Sequence, residues 1–280
     1  MWMRKIIQLI ARCFLYFLII PPVWGIEGNW VHRESVSMRL VLPADGIVSN
    51  EPFWIGWEIV RKKGWHTYWM HPGDVGVPPN LDWHLDGNFR VESLILPTPV
   101  RVDMSGIRAS GHVGSSFFIQ KIHPPDLKGV HSIALRAKAS WLACSDVCLP
   151  GRADLALEVP VKKKTIDDQK WQKKIKLLLE SLPKPLPAEW KGSVREIGKF
   201  YEVNFICPTT WSNRYIDFFG ENRMVRSNYS PKFNVSEDGF SLLMEKAPWR
   251  PPESARFEGL LAFRDETGSP LFYRIDLPVN

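Results

Sequence analysis

The chain has 280 residues, which is enough for one large domain or two ordinary ones. Its formal charge of +6 falls to +3 once the three basic residues of the first 25 positions are removed, and so small a charge excludes a nucleic-acid-binding signature. Thirteen tryptophans and 23 prolines, with few long helical patterns, favour an all-β secreted protein.

Residues 1–25 have the parts of a secretory signal peptide. Arg4 and Lys5 precede a long apolar run that ends at Val23, and Gly25 provides a cleavage position. We therefore predict export and cleavage after Gly25, with an uncleaved membrane anchor as the alternative. No second apolar stretch is long enough to span a membrane.

Residues 35–161 alternate between short apolar runs and turn residues, which is typical of a β-sandwich. The predicted strands are 36–42, 53–60, 65–70, 81–83, 91–96, 117–122, 132–139 and 153–161. A loop rich in proline and glycine is predicted at 71–79. Trp54, Trp57 and Trp141 could mark a sugar- or protein-binding surface, but their place in apolar strands favours the core.

Residues 165–182 break the strand pattern, because their apolar residues recur at helical spacing. Thr165 and Asp168 form a capping box, and Pro183 ends the predicted helix. A stiff proline-rich linker at 183–187 is followed by strand-like runs at 202–206, 215–219, 239–244, 257–263 and 271–277. We predict two β-sandwich domains, 26–164 and 188–280, joined by a helix and linker at 165–187.

Cys144 and Cys148 have three residues between them, so on a straight strand their Cα atoms would lie roughly 13 Å apart. A disulfide requires a much shorter distance, so the chain must turn there. So small a ring adds only about 2 kcal/mol of stability, and a small, reachable ring suits a disulfide that is broken and remade. A structural staple is one alternative. A copper(I) site completed by His66, His71 or His112 is another.

Cys207 is the third cysteine of the exported chain and lies in an apolar strand-like run. An oxidising compartment permits a disulfide within the close pair, which leaves Cys207 unpaired. We predict that Cys207 is a buried and unreactive thiol.

Two segments resemble the N-terminal periplasmic domain of the DsbD family of thiol:disulfide interchange proteins, in particular its ScsB (suppressor of copper sensitivity) branch. The first is TYWMHPGDVGVPPNLDW at 67–83, and the second is WLACSDVCLPG at 141–151. Weaker similarity at 215–219 and 237–242 extends the resemblance over nearly all of the chain after the signal peptide.

The resemblance implies immunoglobulin-like sandwiches in the periplasm and a cysteine pair that alternates between dithiol and disulfide. Cys148 would form the mixed disulfides. Electrons would come from a membrane electron-transfer protein of the DsbD type and pass to oxidised thioredoxin-fold periplasmic proteins. The resemblance implies no cofactor, metal or nucleic acid. A periplasmic copper-binding protein that uses the same cysteines is the alternative function.

By position, the resemblance also assigns the residues around the pair. Those that line the site are Tyr68, His66 and Asp146. A cap loop at 103–110, which begins at Asp103, shields the site through Met104 or Ile107. The chain departs from the family in having Gly111-His112 where Gly-Tyr is usual, which affects the packing of the cap. Full-length members continue into membrane and thioredoxin domains. Here we expect either that separate proteins supply these domains or that this copy has acquired another use.

Overall fold

The computed structural model describes residues 24–208, 211, 214–248 and 256–279. Over these residues the chain forms 21 strands in four sheets and one α-helix. The all-β fold class is therefore confirmed. The predicted signal peptide falls outside the described residues except at its last two positions. None of the helical structure described is long and apolar enough to cross a membrane.

The first half of the chain contains thirteen strands around one core. They are β1 (Ile26–Glu27), β2 (Val31–His32), β3 (Val36–Leu42), β4 (Ile47–Val48), β5 (Phe53–Arg61), β6 (His66–Tyr68), β7 (Asn80–His84), β8 (Arg90–Val91), β9 (Val100–Met104), β10 (Ile107–Val113), β11 (Ser115–His123), β12 (Ser132–Cys144) and β13 (Cys148–Lys162). One sheet has the order β1-β3-β5-β11-β8, with β2 on β3. The other has the order β4-β13-β12-β6-β10-β9, with β7 on β12.

The core between these two sheets takes side chains from both. Trp57 and Phe118 come from the six-stranded sheet, and Leu135 and Trp141 come from the seven-stranded sheet. Trp57 and Trp141 are buried, as predicted, and Trp54 is half-buried beside Ile119. These three tryptophans therefore serve packing and give no support to a binding surface.

Among the differences from the predicted elements, two concern residues 91–110. The predicted cap loop at 103–110 is a β-hairpin, because β9 and β10 pair from Met104–Ile107 to Val100–Gly111. Its two-residue turn, Ser105–Gly106, has positive φ at both positions, which matches the twist of a tight hairpin. The predicted strand at 91–96 is reduced to β8 and a single bridge from Ile95 to Ile119.

The helix, α1, spans Gln169–Glu180 and packs on the six-stranded sheet. Its N-cap is Asp168, whose carboxylate accepts hydrogen bonds from the backbone of Lys170 and Trp171. The predicted capping box with Thr165 is wrong, because Thr165 precedes the helix by four residues. The indole of Trp171 stacks on Phe117 at 5.2 Å, so the helix is docked on the first sandwich.

The described residues of the second half form eight strands around a second core. They are β14 (Lys184–Pro185), β15 (Lys191–Ile197), β16 (Phe200–Ile206), β17 (Tyr215–Gly220), β18 (Lys232–Ser236), β19 (Gly239–Glu245), β20 (Arg256–Arg264) and β21 (Pro270–Pro278). The sheets have the orders β14-β21-β20-β17 and β15-β16-β19-β18. Cys207 packs in this core as a free, buried thiol whose pKa burial raises. Its predicted burial is confirmed, and its lack of reactivity stays a prediction.

The two halves are in direct contact. Side chains of the second half, Phe219, Leu260, Ala262 and Phe272, belong to the core of the first. The predicted linker is not a free spacer, since Lys184 and Pro185 pair in parallel with β21. The domain boundaries themselves stay predictions.

We expect Asp168→Ala to lower the free energy of unfolding by about 1–2 kcal/mol, because two backbone N–H groups at the start of α1 lose their acceptor. Asp168→Asn is the matched control, because asparagine also caps helices. Urea unfolding of the three proteins measures the effect. Equal stability of the alanine and asparagine variants would contradict this role for the cap.

Candidate functional site

The two cysteines close the end of the longest hairpin in the described chain. Strands β12 and β13 pair without interruption from Ser132–Pro160 to Cys144–Cys148. The last pair is joined by a disulfide, with Cα atoms 4.1 Å apart, and the backbone N–H of Ser145 donates to Val147 across the turn at 3.0 Å. The turn predicted from the spacing of the cysteines is therefore present.

The two cysteine residues differ in their exposure to solvent. Cys144 is 0% exposed, because β12 is flanked at this position by Cys148 on one side and by His66 of β6 on the other. Cys148 begins β13 at the edge of the turn and is exposed, as is its neighbour Val147, at 58%. A reactant can therefore reach the disulfide at Cys148, while Cys144 lies beneath it.

Tyr68 is the side chain in closest polar contact with the pair. Its hydroxyl donates to Cys144 Sγ at 3.2 Å and lies 4.0 Å from Cys148 Sγ. The residue is buried, and burial raises the pKa of its phenol. Tyr68 is therefore a neutral donor at physiological pH, aimed at the inner sulfur.

Two segments form walls around Cys144: the loop 71–79 and the β9–β10 hairpin. Buried Tyr68, Val102, Ala109 and Cys144 make one cluster, against which half-buried side chains pack from the loop 71–79, from β9 and from β12: Val75, Met104 and Leu142. We call this set the site cluster. Met104 was predicted to shield the pair and lies in the cluster. Ile107 was predicted with it, but pairs with Met104 across the hairpin and lies outside the cluster.

The remaining predicted residues lie around this cluster. His66 is buried, and its ring meets that of Tyr68 edge-on at 5.3 Å. Asp146 is exposed at the tip of the cysteine turn. Asp103 accepts a hydrogen bond from the Gly106 amide at 2.9 Å and closes the hairpin turn. The structure thus brings Tyr68, His66 and Met104 to Cys144, and leaves Asp146 and Asp103 at the rim.

A buried cation, Arg61, lies behind the site, and no pattern in the sequence predicted it. Arg61 donates from Nε to Thr67 Oγ1 at 2.8 Å, and no ion pair to a carboxylate is found for it in the described part of the chain. Burial lowers the pKa of Arg61 to about 9, so it remains charged at neutral pH. Its position at the end of an apolar strand gave no signal of a buried charge.

Two histidines, His66 and His112, lie near the charge of Arg61. Burial, and then the charge of Arg61, lowers the pKa of His66, while Asp103 acts in the opposite direction. The same two causes lower the pKa of His112 to about 4. Nε2 of His112 lies 3.0 Å from the carbonyl oxygen of Pro97. Both rings are therefore neutral at physiological pH.

We expect His112 to make the fold sensitive to acid. Its pKa is about 4 when folded and 6.5 in the unfolded chain, so the unfolded state binds the extra proton between these values. Stability should be unaffected above pH 6.5 and should fall by up to roughly 3 kcal/mol as the pH drops to about 4.

Urea unfolding of wild type, His112→Gln and His84→Gln from pH 7.5 to 4 measures this effect. The His112 variant should lose much of the pH dependence, whereas the variant of exposed His84 should keep it. Parallel curves for all three proteins would mean that His112 does not exclude a proton in the folded state.

Comparisons with known proteins agree with this geometry. Residues 38–160 match the family model described as "Thiol:disulfide interchange protein DsbD, N-terminal". Among solved structures, the N-terminal periplasmic domain of ScsB from Proteus mirabilis aligns over 91% of this chain and 99% of its own, with 18% identity and a TM-score of 0.67. No curated protein sequence matches the chain.

Other solved structures are matched far less well. The tandem Ig repeats of Dlar align over 91% of this chain and 98% of their own, at 13% identity. The E. coli chaperone DraB aligns over 86% of this chain and 97% of its own, at 9% identity. Their TM-scores are only 0.22 and 0.23. Residues 38–160 thus form a domain of the DsbD N-terminal family, and the chain as a whole has the fold of the ScsB periplasmic domain.

Proposed function

We propose that this chain is a periplasmic thiol:disulfide interchange module that carries electrons on Cys144 and Cys148. The observation that carries the proposal is the asymmetry of the pair. Cys148 is an exposed residue at a turn, and Cys144 is buried under the hydroxyl of Tyr68. An exposed sulfur can be attacked, and a buried, hydrogen-bonded one can leave, which are the two roles that exchange requires.

The exchange proceeds in two balanced steps. A thiolate of a donor dithiol attacks Cys148 Sγ, the bond to Cys144 breaks, and Cys144 departs with the electron pair and takes up a proton. The donor's second thiolate then attacks the donor sulfur of the mixed disulfide, and Cys148 leaves and is protonated. Two electrons and two protons have moved, and the donor is now a disulfide. Reversal of these steps with an oxidised acceptor returns the pair to its disulfide.

Tyr68 has a defined part in this chemistry. As the disulfide breaks, negative charge develops on Cys144 in a buried environment, where an unsolvated thiolate is unfavourable. The neutral hydroxyl, 3.2 Å from that sulfur, supplies a hydrogen bond to the developing charge. A donor already in place stabilises the leaving thiolate without rearrangement of the site.

The partners follow from the family. We propose that a membrane electron-transfer protein of the DsbD type reduces the pair and that thioredoxin-fold periplasmic proteins receive the electrons. The match to a periplasmic domain of ScsB supports this compartment. Exposed Val147, next to Cys148, provides an apolar contact at the place where a partner's sulfur must dock.

Copper binding through the same cysteines is the alternative, and the geometry supports it less well. Among the described residues, no group of three or more His, Cys, Asp and Glu side chains is placed to hold a metal ion. His71 and His112 are engaged elsewhere, near Glu221 and Pro97. Titration of the reduced protein with copper(I) tests this alternative, which would gain support from tight binding lost in His66→Ala.

We expect Tyr68→Phe to slow exchange with a thioredoxin-fold protein by about five-fold, the factor that one hydrogen bond is worth. The ring stays in the site cluster, so the fold should be retained. Tyr229→Phe, at an exposed tyrosine, is the control. Stopped-flow tryptophan fluorescence can follow the reaction, and an unchanged rate in Tyr68→Phe would remove the hydroxyl from the mechanism.

The decisive experiment is a trapping reaction. Cys144→Ala should accumulate a mixed disulfide through Cys148 with a thioredoxin-fold protein that retains one active-site cysteine, supplied as its mixed disulfide with thionitrobenzoate. The Cys148 thiolate attacks the partner's sulfur, thionitrobenzoate leaves with the electron pair, and no resolving thiol remains to release the adduct. Cys148→Ala should trap little, since Cys144 is buried. If neither variant forms the adduct, and the wild-type disulfide resists thioredoxin-fold reductants, the pair is a structural staple.

A further inference from the structure

Ser227, in the second half of the chain, hydrogen-bonds to both walls of the disulfide site. It is only 7% exposed. Its hydroxyl donates to the carbonyl oxygen of Arg108 in β10 at 2.8 Å and accepts from the N–H of Asp74 in the loop 71–79 at 2.9 Å. One small side chain thus uses its donor and an acceptor to hold two segments that are separate in sequence.

The next residue repeats the arrangement. The backbone N–H of Asn228 donates to Asp74 Oδ2 at 3.1 Å, and its side-chain oxygen accepts from the N–H of Arg108 at 3.0 Å. Residues 74 and 108 are therefore each bonded twice to the pair Ser227–Asn228. We call these four bonds the clamp.

A buried carboxylate reinforces the clamp on the hairpin side. Asp217 of β17 accepts from Arg101 Nε at 2.7 Å and from an Arg108 guanidinium nitrogen at 2.9 Å. Arg101 lies on β9 and Arg108 on β10, so one acid holds both strands of the hairpin that carries Met104. Charge-assisted bonds of this kind are about twice as strong as neutral ones.

The clamped segments are in direct contact with the site. Gly73 lies so close to Ser227 that a Cβ there would come within 2.2 Å of the hydroxyl oxygen. Three residues on, a Cβ at Gly76 would come within 2.2 Å of the Tyr68 ring. The loop is therefore wedged between the clamp and the tyrosine that bonds Cys144. On the hairpin, Met104 packs into the same site cluster.

We propose that Ser227, Asn228 and Asp217 are positioning residues for the cysteine pair. They keep the walls closed over Cys144, so that an incoming thiol or electrophile meets Cys148 alone. The second sandwich therefore determines which sulfur reacts. The role of this selectivity in catalysis rests on the proposed exchange function. The protection of Cys144 by the closed walls, which we call the seal, does not.

Alkylation of the reduced protein with N-ethylmaleimide tests the seal, with each cysteine followed by mass spectrometry. In the wild type, Cys148 should react rapidly and Cys144 slowly. In Ser227→Ala the rate at Cys144 should rise by about five-fold, the factor expected for one lost hydrogen bond, with the rate at Cys148 unchanged. Asp217→Asn should raise it as well.

The chain provides its own controls. Buried Cys207 reports on general loosening, so its labelling rate should stay at the wild-type value in Ser227→Ala. Ser236→Ala and Asp276→Asn change exposed members of the same two residue types in the second half of the chain and should leave Cys144 protected. An unchanged rate at Cys144 in Ser227→Ala, or a parallel rise at Cys207, would overturn the proposal.

A measurement on the unmodified protein guards against variants that do not fold. The amides of Asp74 and Arg108 donate to the clamp, so both should be protected in hydrogen exchange followed by NMR. Exchange at the rate of open loop amides would show that the clamp does not persist in solution. If the cysteine pair did not react with thioredoxin-fold proteins, the proposed function would be wrong, but protected amides at Asp74 and Arg108 would still support the clamp.

Discussion

The register of the β12–β13 hairpin is the constraint on which the site depends. Because Cys144 pairs with Cys148 and, across the other edge of β12, with His66, one cysteine has strands on both sides and the other has a strand on one side only. A slip of one residue would turn every side chain of a strand to the opposite face. The same register that places Leu135 and Trp141 in the core therefore places Cys144 beneath Tyr68.

Local sequence patterns predicted the features that depend on neighbouring residues, namely strands and tight turns. Alternating apolar residues identified strands such as 36–42, and the spacing of the cysteines required a turn between them. The β9–β10 hairpin was missed because resemblance to a family pointed to a loop, although Ser105–Gly106 is a sound turn signal. The pairing of the linker with β21 was not predicted, because proline is rare in sheets; Pro185 lies at the edge of a sheet, where a missing N–H is tolerated.

Contacts between distant residues lay beyond any such pattern. Asp217 was read as part of an apolar strand, and only the folded chain shows it between two arginines more than 100 positions away. A register shift between Tyr215 and Asp217 accompanies this arrangement. In the same way, Phe219 and Leu260 complete the core of the first sandwich from the second half of the chain. A buried acid and shared apolar side chains are typical of an interface that holds its two sides in a fixed relation.

The glycine-rich loop at 71–79 now has a physical explanation. Gly73 and Gly76 both have φ near +100°, a conformation that other residues adopt only with strain, and each sits against a side chain that leaves no room for a Cβ. Gly73 faces Ser227 in the second half of the chain, and Gly76 faces Tyr68 in the first. The loop therefore lies between the two halves of the chain. Its glycines are needed because Ser227 on one side and Tyr68 on the other leave no space for larger residues. A larger residue at either position would push on the clamp or on the tyrosine, so the loop couples the second sandwich to the sulfur that Tyr68 holds.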